Sequence, residues 1–199
     1  MPDLQEDLKK IIKKLEVPEE VFDSPVVIVM LGLPGSGKTT FADSLCERLP
    51  FVKLSTDEIS EWLGQGPLPE QRQYAREIQH KALSLLLQEG INCIIDTNTA
   101  KRVYRDEIYK IALETDTDSI VVHCQTPRGT INGRMEARKG SEIGEDGIRR
   151  FYIPKEEMDL YAKELEEPQD DEIAFEYDGT KNVQEQIDDF IQFLEGYLL

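Results

Sequence analysis

A glycine-rich segment carries the strongest chemical signal in this chain. The sequence GLPGSGKT, from Gly32 to Thr39, fits the pattern G-x-x-x-x-G-K-[ST] at every fixed position. A polyphosphate is a dense anion, and consecutive backbone N–H groups can surround it only where no Cβ blocks their approach. The apolar run PVVIVMLG precedes the segment and an amphipathic run follows it, as expected for a strand and a helix whose positive end faces an anion. The segment therefore predicts a nucleotide-binding P-loop rather than a chance glycine-rich turn.

The residue types in this loop indicate separate roles. We expect Lys38 to place a point charge on the β- and γ-phosphates and the Thr39 hydroxyl to bind Mg²⁺. The expected cofactors are therefore ATP and Mg²⁺. The candidate nucleotide-binding residues are Gly32, Leu33, Pro34, Gly35, Ser36, Gly37, Lys38, Thr39 and Thr40.

An acidic residue, Asp57, closes a second apolar run in the segment VKLSTDEI. Ligands of open α/β sheets bind at the carboxyl ends of the strands, so this carboxylate is expected to face the P-loop. It could accept the proton of a hydroxyl nucleophile during phosphoryl transfer. The alternative is helix capping, which Ser55, Thr56 or Asp57 could provide for the following EISEWL segment. The two roles are compatible.

A polar tip also ends the apolar run in CIIDTNT. Asp96 after four apolar residues is typical of a Walker B acid, which holds the metal through water or positions the substrate. We expect Asp96 and Asn98 to contribute to substrate binding. The alternative is an Asx turn that leads into the next helix.

Arginines are concentrated in the segment RGTINGRMEARKG, in an otherwise very acidic chain. Arg134 and Arg138 are four residues apart and share one face of the predicted helix. Positive charge over the equatorial oxygens stabilises a transferring phosphoryl group, so these residues are candidate catalytic groups of a lid. The following KGSEIGEDG is a candidate hinge. The alternative is a solvated helical face.

The fold expected to position these residues is an α/β, three-layer P-loop NTPase sandwich with a five-stranded, mainly parallel sheet. Helical patterns alternate with five apolar strand candidates, which are PVVIVMLG, FVKLSTDE, INCIIDTNT, SIVVHCQTP and DEIAFEYDGT. Residues 1–24 are interpreted as an added helical segment and residues 25–199 as one domain, with a helical lid at about 128–165. The segment QGPLPEQRQ is interpreted as a loop.

Composition limits the function classes. The 199-residue chain has a formal net charge of −17, which argues against a broad non-specific nucleic-acid surface but leaves room for a small basic pocket. Cys46, Cys93 and Cys124 are far apart in apolar segments and suggest buried thiols. No apolar run approaches 18 residues and the N-terminus is charged, so no membrane partner and a cytoplasmic location are expected.

Together these motifs resemble the kinase domain of polynucleotide 5′-hydroxyl kinases. They also resemble the wider group of zeta-toxin-like kinases, small P-loop kinases and seryl-tRNA kinases. The resemblance rests on GLPGSGKTT, Asp57, DTN at Asp96–Asn98 and RMEARKG…IRRFY, and it runs from about Val26 to Tyr161. It implies a general base at Asp57, phosphate and metal contacts at Lys38 and Thr39, acceptor contacts at Asp96 and Asn98, and lid arginines at Arg134 and Arg138.

The chain departs from that family at one position. Polynucleotide kinases have an arginine three residues after the base aspartate that contacts the acceptor's phosphate, whereas this chain has Ser60. Arg72 or Arg76, in the longer segment that follows, could supply the charge instead. The acceptor is therefore expected to be either a nucleic-acid 5′ end or a small metabolite.

Three function classes remain compatible with these residues. The first is an ATP-dependent kinase that acts on a hydroxyl acceptor. The second is an NTPase switch or assembly factor; the guanine-specific tetrapeptide N-K-x-D is not in the chain. The third is a nucleotide-binding module without catalysis, which the combination of Lys38, Thr39, Asp57 and the lid arginines disfavours. The oligomeric state stays open.

Overall fold

A computed structural model describes residues 3–66, 68–139 and 151–198. Its centre is one five-stranded sheet in the order β2-β3-β1-β4-β5, and every pair of neighbouring strands is parallel. The strands are β1 (Val26–Leu31), β2 (Phe51–Ser55), β3 (Asn92–Asp96), β4 (Asp118–Gln125) and β5 (Ala174–Asp178). The sheet is thus wholly parallel, where the sequence predicted a mainly parallel one.

Helices connect the strands and cover both faces of the sheet. They are α1 (Leu4–Lys14), α2 (Lys38–Cys46), α3 (Thr56–Trp62), α4 (Pro69–Gln88), α5 (Arg102–Glu114), α6 (Arg128–Arg138), α7 (Lys155–Glu164) and α8 (Val183–Leu198). None of those whose residues the structure describes is long and apolar enough to cross a bilayer.

The alternation of side chains along β1 divides the apolar interior into two layers. Val27 and Val29 face a core formed with α1, α3, α4 and α5, whereas Ile28 and Met30 face a core formed with α2 and α8. All six residues of β1 are buried, as its continuous apolar run predicted for a central strand. The fold is therefore a three-layer α/β sandwich, as the sequence predicted.

The strand order explains where a ligand can enter. From β1 the chain runs toward one edge of the sheet to form β2, and from β3 it runs toward the opposite edge to form β4. The strands β1 and β3 are nevertheless neighbours. The loops that follow these two strands therefore diverge and leave a crevice at their carboxyl ends. Those loops are the P-loop and the loop that contains Asp96–Asn98.

Two local predictions need correction or fall outside the description. The segment at 65–73 is only partly a loop, because α4 begins at Pro69, where a fixed φ and a missing N–H suit the first helical turn. The predicted lid begins with α6 and includes α7, but residues 140–150, which contain most of the candidate hinge, lie outside the described residues. The three cysteines are free thiols, with Cys93 and Cys124 buried and Cys46 half-buried.

Candidate active site

The P-loop has the backbone geometry that its sequence predicts. At Gly35, φ is +81°, and a Cβ would lie 2.6 Å from Cε of Met135. At Gly37, φ is +108°, and a Cβ would lie 3.1 Å from the ring of Tyr177. Gly37 is also the N-cap of α2 and has no side chain to cap it, so the first N–H groups of the helix stay available to an anion.

Lys38 is held by the loop that it belongs to. Its ammonium donates hydrogen bonds to the carbonyl oxygens of Gly32 at 2.9 Å and Leu33 at 3.0 Å. Burial lowers the pKa of Lys38, and the nearby charges of Asp96 and Asp57 act in the opposite direction. The ammonium is thus a partly desolvated cation that neutral oxygens hold in place.

Thr39 and Asp96 meet across the crevice. The Thr39 hydroxyl donates a hydrogen bond to Oδ2 of Asp96 at 2.8 Å, although the two residues are 57 positions apart. Asp96 is buried, and this burial raises the pKa of its carboxyl, which Lys38 and Thr39 act to lower. The sequence-predicted metal contact and the strand-ending acid therefore form one oxygen-rich corner.

Asp57 lies in the first turn of α3, and its side chain is exposed toward the same cavity. The N-cap of α3 is Ser55, whose hydroxyl accepts a hydrogen bond from the N–H of Glu58 at 3.4 Å. Asp57 is therefore not the cap. Thr56 and Thr97 share a hydroxyl hydrogen bond of 2.7 Å, which joins the chain segments that directly follow β2 and β3.

Asn98 makes the local turn that the sequence suggested for this loop. Its Oδ1 accepts a hydrogen bond from the N–H of Ala100 at 3.1 Å, which is an Asx turn. Its backbone oxygen accepts a hydrogen bond from Nη2 of Arg76 at 3.2 Å. The guanidinium of Arg76 lies 4.0 Å from the ring centroid of Tyr104, so α4, α5 and this loop meet at one point.

Arg134 reaches from α6 into the P-loop. Its Nη1 donates to the carbonyl oxygen of Gly35 at 2.9 Å, and its Nη2 donates to that of Gly179 at 2.5 Å. A small apolar cluster of α6 and α7 packs against Leu33 beside these contacts. A solvated-face interpretation is therefore wrong for Arg134. Arg138 is half-buried, lines the same cavity, and its charge acts to lower the pKa of Lys38.

One cavity of about 810 Å³ brings most of the predicted residues together. Its basic lining residues are Lys38, Arg72, Arg76, Arg134 and Arg138, and its acidic ones are Asp43, Asp57, Asp96 and Glu157. Asn98 and Thr40 also line it, whereas Gly32, Leu33 and Ser36 do not. In a chain with 23 basic and 40 acidic residues, this surplus of cations is a local exception.

A second cavity of about 780 Å³ lies at the ends of β4 and β5. Its acidic lining residues are Glu167, Glu176, Asp178, Glu185 and Asp189, and its basic ones are Lys181 and His123. Burial lowers the pKa of His123, so it adds little positive charge at neutral pH. A polyphosphate is repelled by such a lining, so the cation-rich cavity is the better phosphate site.

Sequence reasoning missed a buried ionic network behind the loop that contains Asp96–Asn98. Arg105 is fully buried and donates from Nε to Glu172 at 2.7 Å and from Nη1 to the carbonyl oxygen of Thr99 at 3.0 Å. A signal was present, because Arg105, Ile108 and Ala112 have the spacing of one buried helical face. An arginine on such a face predicts a buried partner.

Comparison with known proteins agrees with this geometry. The family model described as an AAA domain matches residues 27–168. The chain belongs to this family. This match, together with the solved structures described next, confirms the predicted resemblance to the P-loop kinase group. None of the curated proteins compared with the chain matches it.

Several solved structures share this fold, and two of the three described here are kinases. An unliganded sugar kinase from Janibacter sp. HTCC2649 is 21% identical with a TM-score of 0.60, over 86% of this chain and 95% of that one. The Mycobacterium tuberculosis APS kinase CysC, in complex with AMPPNP and APS, is 17% identical with a TM-score of 0.61, over 86% and 98%. A chain of the Pnkp1/Rnl/Hen1 RNA repair complex is 22% identical with a TM-score of 0.60, over 74% and 46%. At these identities the comparison shows a shared fold.

Proposed function

We propose that this chain is an ATP-dependent kinase that moves the γ-phosphoryl group of ATP to a hydroxyl acceptor. The observation that supports it most is that the P-loop and Asp57 line one cavity. A nucleotide hydrolase needs the P-loop and a water, whereas a kinase also needs room for an acceptor beside a proton-accepting group. This cavity extends from Lys38 past Asp57 to α4.

The nucleotide end of the site consists of hydrogen-bond donors. The Lys38 ammonium and the Arg134 guanidinium donate to carbonyl oxygens, which are neutral acceptors. No side chain caps the first N–H groups of α2. Triphosphate oxygens can replace these carbonyls as stronger, charged acceptors. Arg138 then adds positive charge from the same face of α6. The rest of the proposed lid, to about residue 165, stays a prediction.

The donor set at Thr39 and Asp96 fits Mg²⁺. A hydroxyl and a carboxylate that approach within 2.8 Å supply hard oxygen ligands, directly or through water. No group of three or more His, Cys, Asp or Glu residues in the described part of the chain could hold a metal alone. This pattern suits an ion that the nucleotide's phosphates also ligate. When bound, Mg²⁺ would neutralise charge on the transferring phosphoryl group.

Asp57 is the proposed general base. Its carboxylate accepts the acceptor's hydroxyl proton while the acceptor oxygen bonds to the γ-phosphorus. The bond from that phosphorus to the β–γ bridging oxygen breaks, and ADP leaves. Asp96 and Asn98 lie on the adjacent loop and are proposed to help position the acceptor. Arg134 and Arg138 are proposed to stabilise charge on the equatorial oxygens.

The test is transfer of label from [γ-³²P]ATP to panels of hydroxyl compounds and 5′-hydroxyl oligonucleotides. We expect slow hydrolysis alone, label in at least one acceptor, and loss of that label in Asp57→Asn. Glu61→Gln is the matched control, because Glu61 is an exposed carboxylate on the same helix outside the cavity. Rapid hydrolysis that no acceptor captures would favour an NTPase switch instead.

A further inference from the structure

Seven of the arginines that the structure describes fall into two groups according to their partners. Arg48, Arg102, Arg105 and Arg128 form ion pairs with carboxylates, and none of these four lines the cation-rich cavity. Among the described residues, no carboxylate lies within 4.0 Å of the guanidinium of Arg72, Arg76 or Arg134. All three line the cavity. In so acidic a chain, three guanidinium groups that line one cavity without forming ion pairs to described carboxylates suggest an anionic ligand.

A nucleotide accounts for only one end of this cavity. Arg134 contacts the P-loop directly, so its ligand is the triphosphate of the proposed function. Arg72 and Arg76 lie on α4, a different element, and share the cavity with Asp57 and Ser60. Among the described residues, neither α4 arginine contacts the P-loop, so a triphosphate on that loop does not by itself account for their position at the cavity.

The two α4 arginines are arranged to act together. They are four residues apart, so their side chains leave the same face of the helix, with Cβ atoms roughly 6 Å apart. Arg76 is held by Tyr104 and by the backbone oxygen of Asn98. Arg72 is exposed, and none of the described residues hydrogen-bonds to its side chain. One guanidinium is therefore oriented in advance and its neighbour is available.

We propose that the acceptor carries a phosphate group, bound by Arg72 and Arg76, which places its hydroxyl beside Asp57. This inference rests on the proposed function. A phosphate has three or more acceptor oxygens and up to two negative charges, so it can bind two guanidinium groups and balance both of their charges, whereas a carboxylate carries only one. The same chemistry occurs in a nucleotide 3′-phosphate and in a phosphorylated small metabolite.

The test is binding rather than turnover, with Mg-AMPPNP present at saturation so that phosphate probes cannot occupy the P-loop. Two matched pairs serve as probes, adenosine 3′-monophosphate against adenosine and glycerol 3-phosphate against glycerol. We expect at least one phosphorylated probe to bind about 10-fold or more tightly than its neutral partner, since hydrogen bonds to charged groups exceed neutral ones. The pair that shows the preference identifies the source of the phosphate.

The decisive variant is Arg72→Gln, because no described contact depends on the Arg72 side chain and the fold should be unaffected. It should remove most of the phosphate preference, and Arg72→Lys should restore part of it. Lys81→Gln is the matched control, since Lys81 is a cation on the same helix, outside the cavity and without an ion pair among the described residues. The control should keep the preference.

Three results would overturn the inference. They are equal binding of both members in both pairs, a preference that survives in an Arg72→Gln/Arg76→Gln variant, and glycerate binding as tightly as glycerol 3-phosphate. Failure of Mg-AMPPNP to bind would contradict the proposed function itself. Normal Mg-AMPPNP binding without a phosphate preference would contradict only the acceptor assignment.

Discussion

Neutralising Glu172 should be among the most destabilising single changes outside the active-site cavity. Its carboxylate is almost fully buried and accepts hydrogen bonds from Nε and Nη2 of Arg105, from Tyr109, and from the N–H of Gln169. In Glu172→Gln, an amide nitrogen replaces one acceptor oxygen and faces N–H donors. The Arg105 charge then remains buried without a counter-charge.

The size of the effect follows from this burial. Removing one partner of a buried ion pair costs about 3–5 kcal/mol, because the remaining charge stays desolvated. For a domain of this size, 1 kcal/mol shifts Tm by roughly 2–4 °C, so we expect a fall of about 6–20 °C. Asp171→Asn is the control, since Asp171 pairs with Arg102 with its side chain 65% exposed. An exposed pair of this kind contributes about 0–1 kcal/mol.

Calorimetry and urea unfolding at neutral pH measure both variants. The two single variants Arg105→Met and Glu172→Leu each leave one buried charge without its partner, whereas the double variant leaves none. We therefore expect the loss of unfolding free energy in the double variant to be smaller than the sum of the two single losses by at least about 2 kcal/mol. Burial acts to raise the pKa of Glu172, but hydrogen bonds from Arg105 and Tyr109 keep it below the usual range. The pair's contribution is therefore present above the ordinary glutamate pKa and is lost as pH falls through the lowered value. A Glu172→Gln protein no less stable than Asp171→Asn would refute this reasoning.

Three further predictions concern the cavity itself. Lys38→Met should weaken Mg-ATP binding by about 10²-fold or more in calorimetric titration, and unchanged affinity would contradict the P-loop assignment. The Tm of the free protein should not fall, because the Lys38 ammonium is partly desolvated and has only neutral oxygens as hydrogen-bond acceptors. Asp57→Asn should lower transfer by about 10²–10⁴ while nucleotide affinity stays normal, and wild-type transfer rates would exclude Asp57 as the base. Asp96→Asn should raise the Tm of the free protein, because the raised pKa of Asp96 means that folding disfavours its ionised form. That gain should be largest at neutral pH and vanish toward the ordinary aspartate pKa, while Mg²⁺-dependent turnover falls; a lower Tm would show that the carboxylate stabilises the fold.

Features encoded by local patterns were predictable from the sequence. The P-loop requires fixed spacing between residues, and β1 is one uninterrupted apolar run, so both could be located without tertiary information. The meeting of Thr39 with Asp96 was also within reach, because the carboxyl ends of parallel strands lie at one edge of the sheet. Only the hydrogen bond between the Thr39 hydroxyl and Oδ2 of Asp96 had to be read from the structure.

Contacts that join distant elements were not predictable in the same way. Arg105 and Glu172 are 67 positions apart, and nothing near either residue specifies the other. Arg72 was predicted to lie in a loop, because two prolines and two glycines nearby suggested irregular structure as far as residue 73. The early start of α4 at Pro69 is what places Arg72 and Arg76 one helical turn apart on a shared face.

The net charge of −17 is a weaker argument about the acceptor than it first appeared to be. At physiological ionic strength the Debye length is about 8 Å, so a charge two such lengths away is attenuated roughly sevenfold. A phosphate inside the cavity therefore responds mainly to the arginines that line it, and little to acidic surface more than two such lengths away. An extended nucleic acid would have to lie along that surface, where few cations replace its counterions. The charge distribution consequently disfavours long contacts with a polynucleotide. It does not disfavour an acceptor whose single phosphate and hydroxyl both enter the cavity, and either the end of a strand or a small metabolite meets that condition.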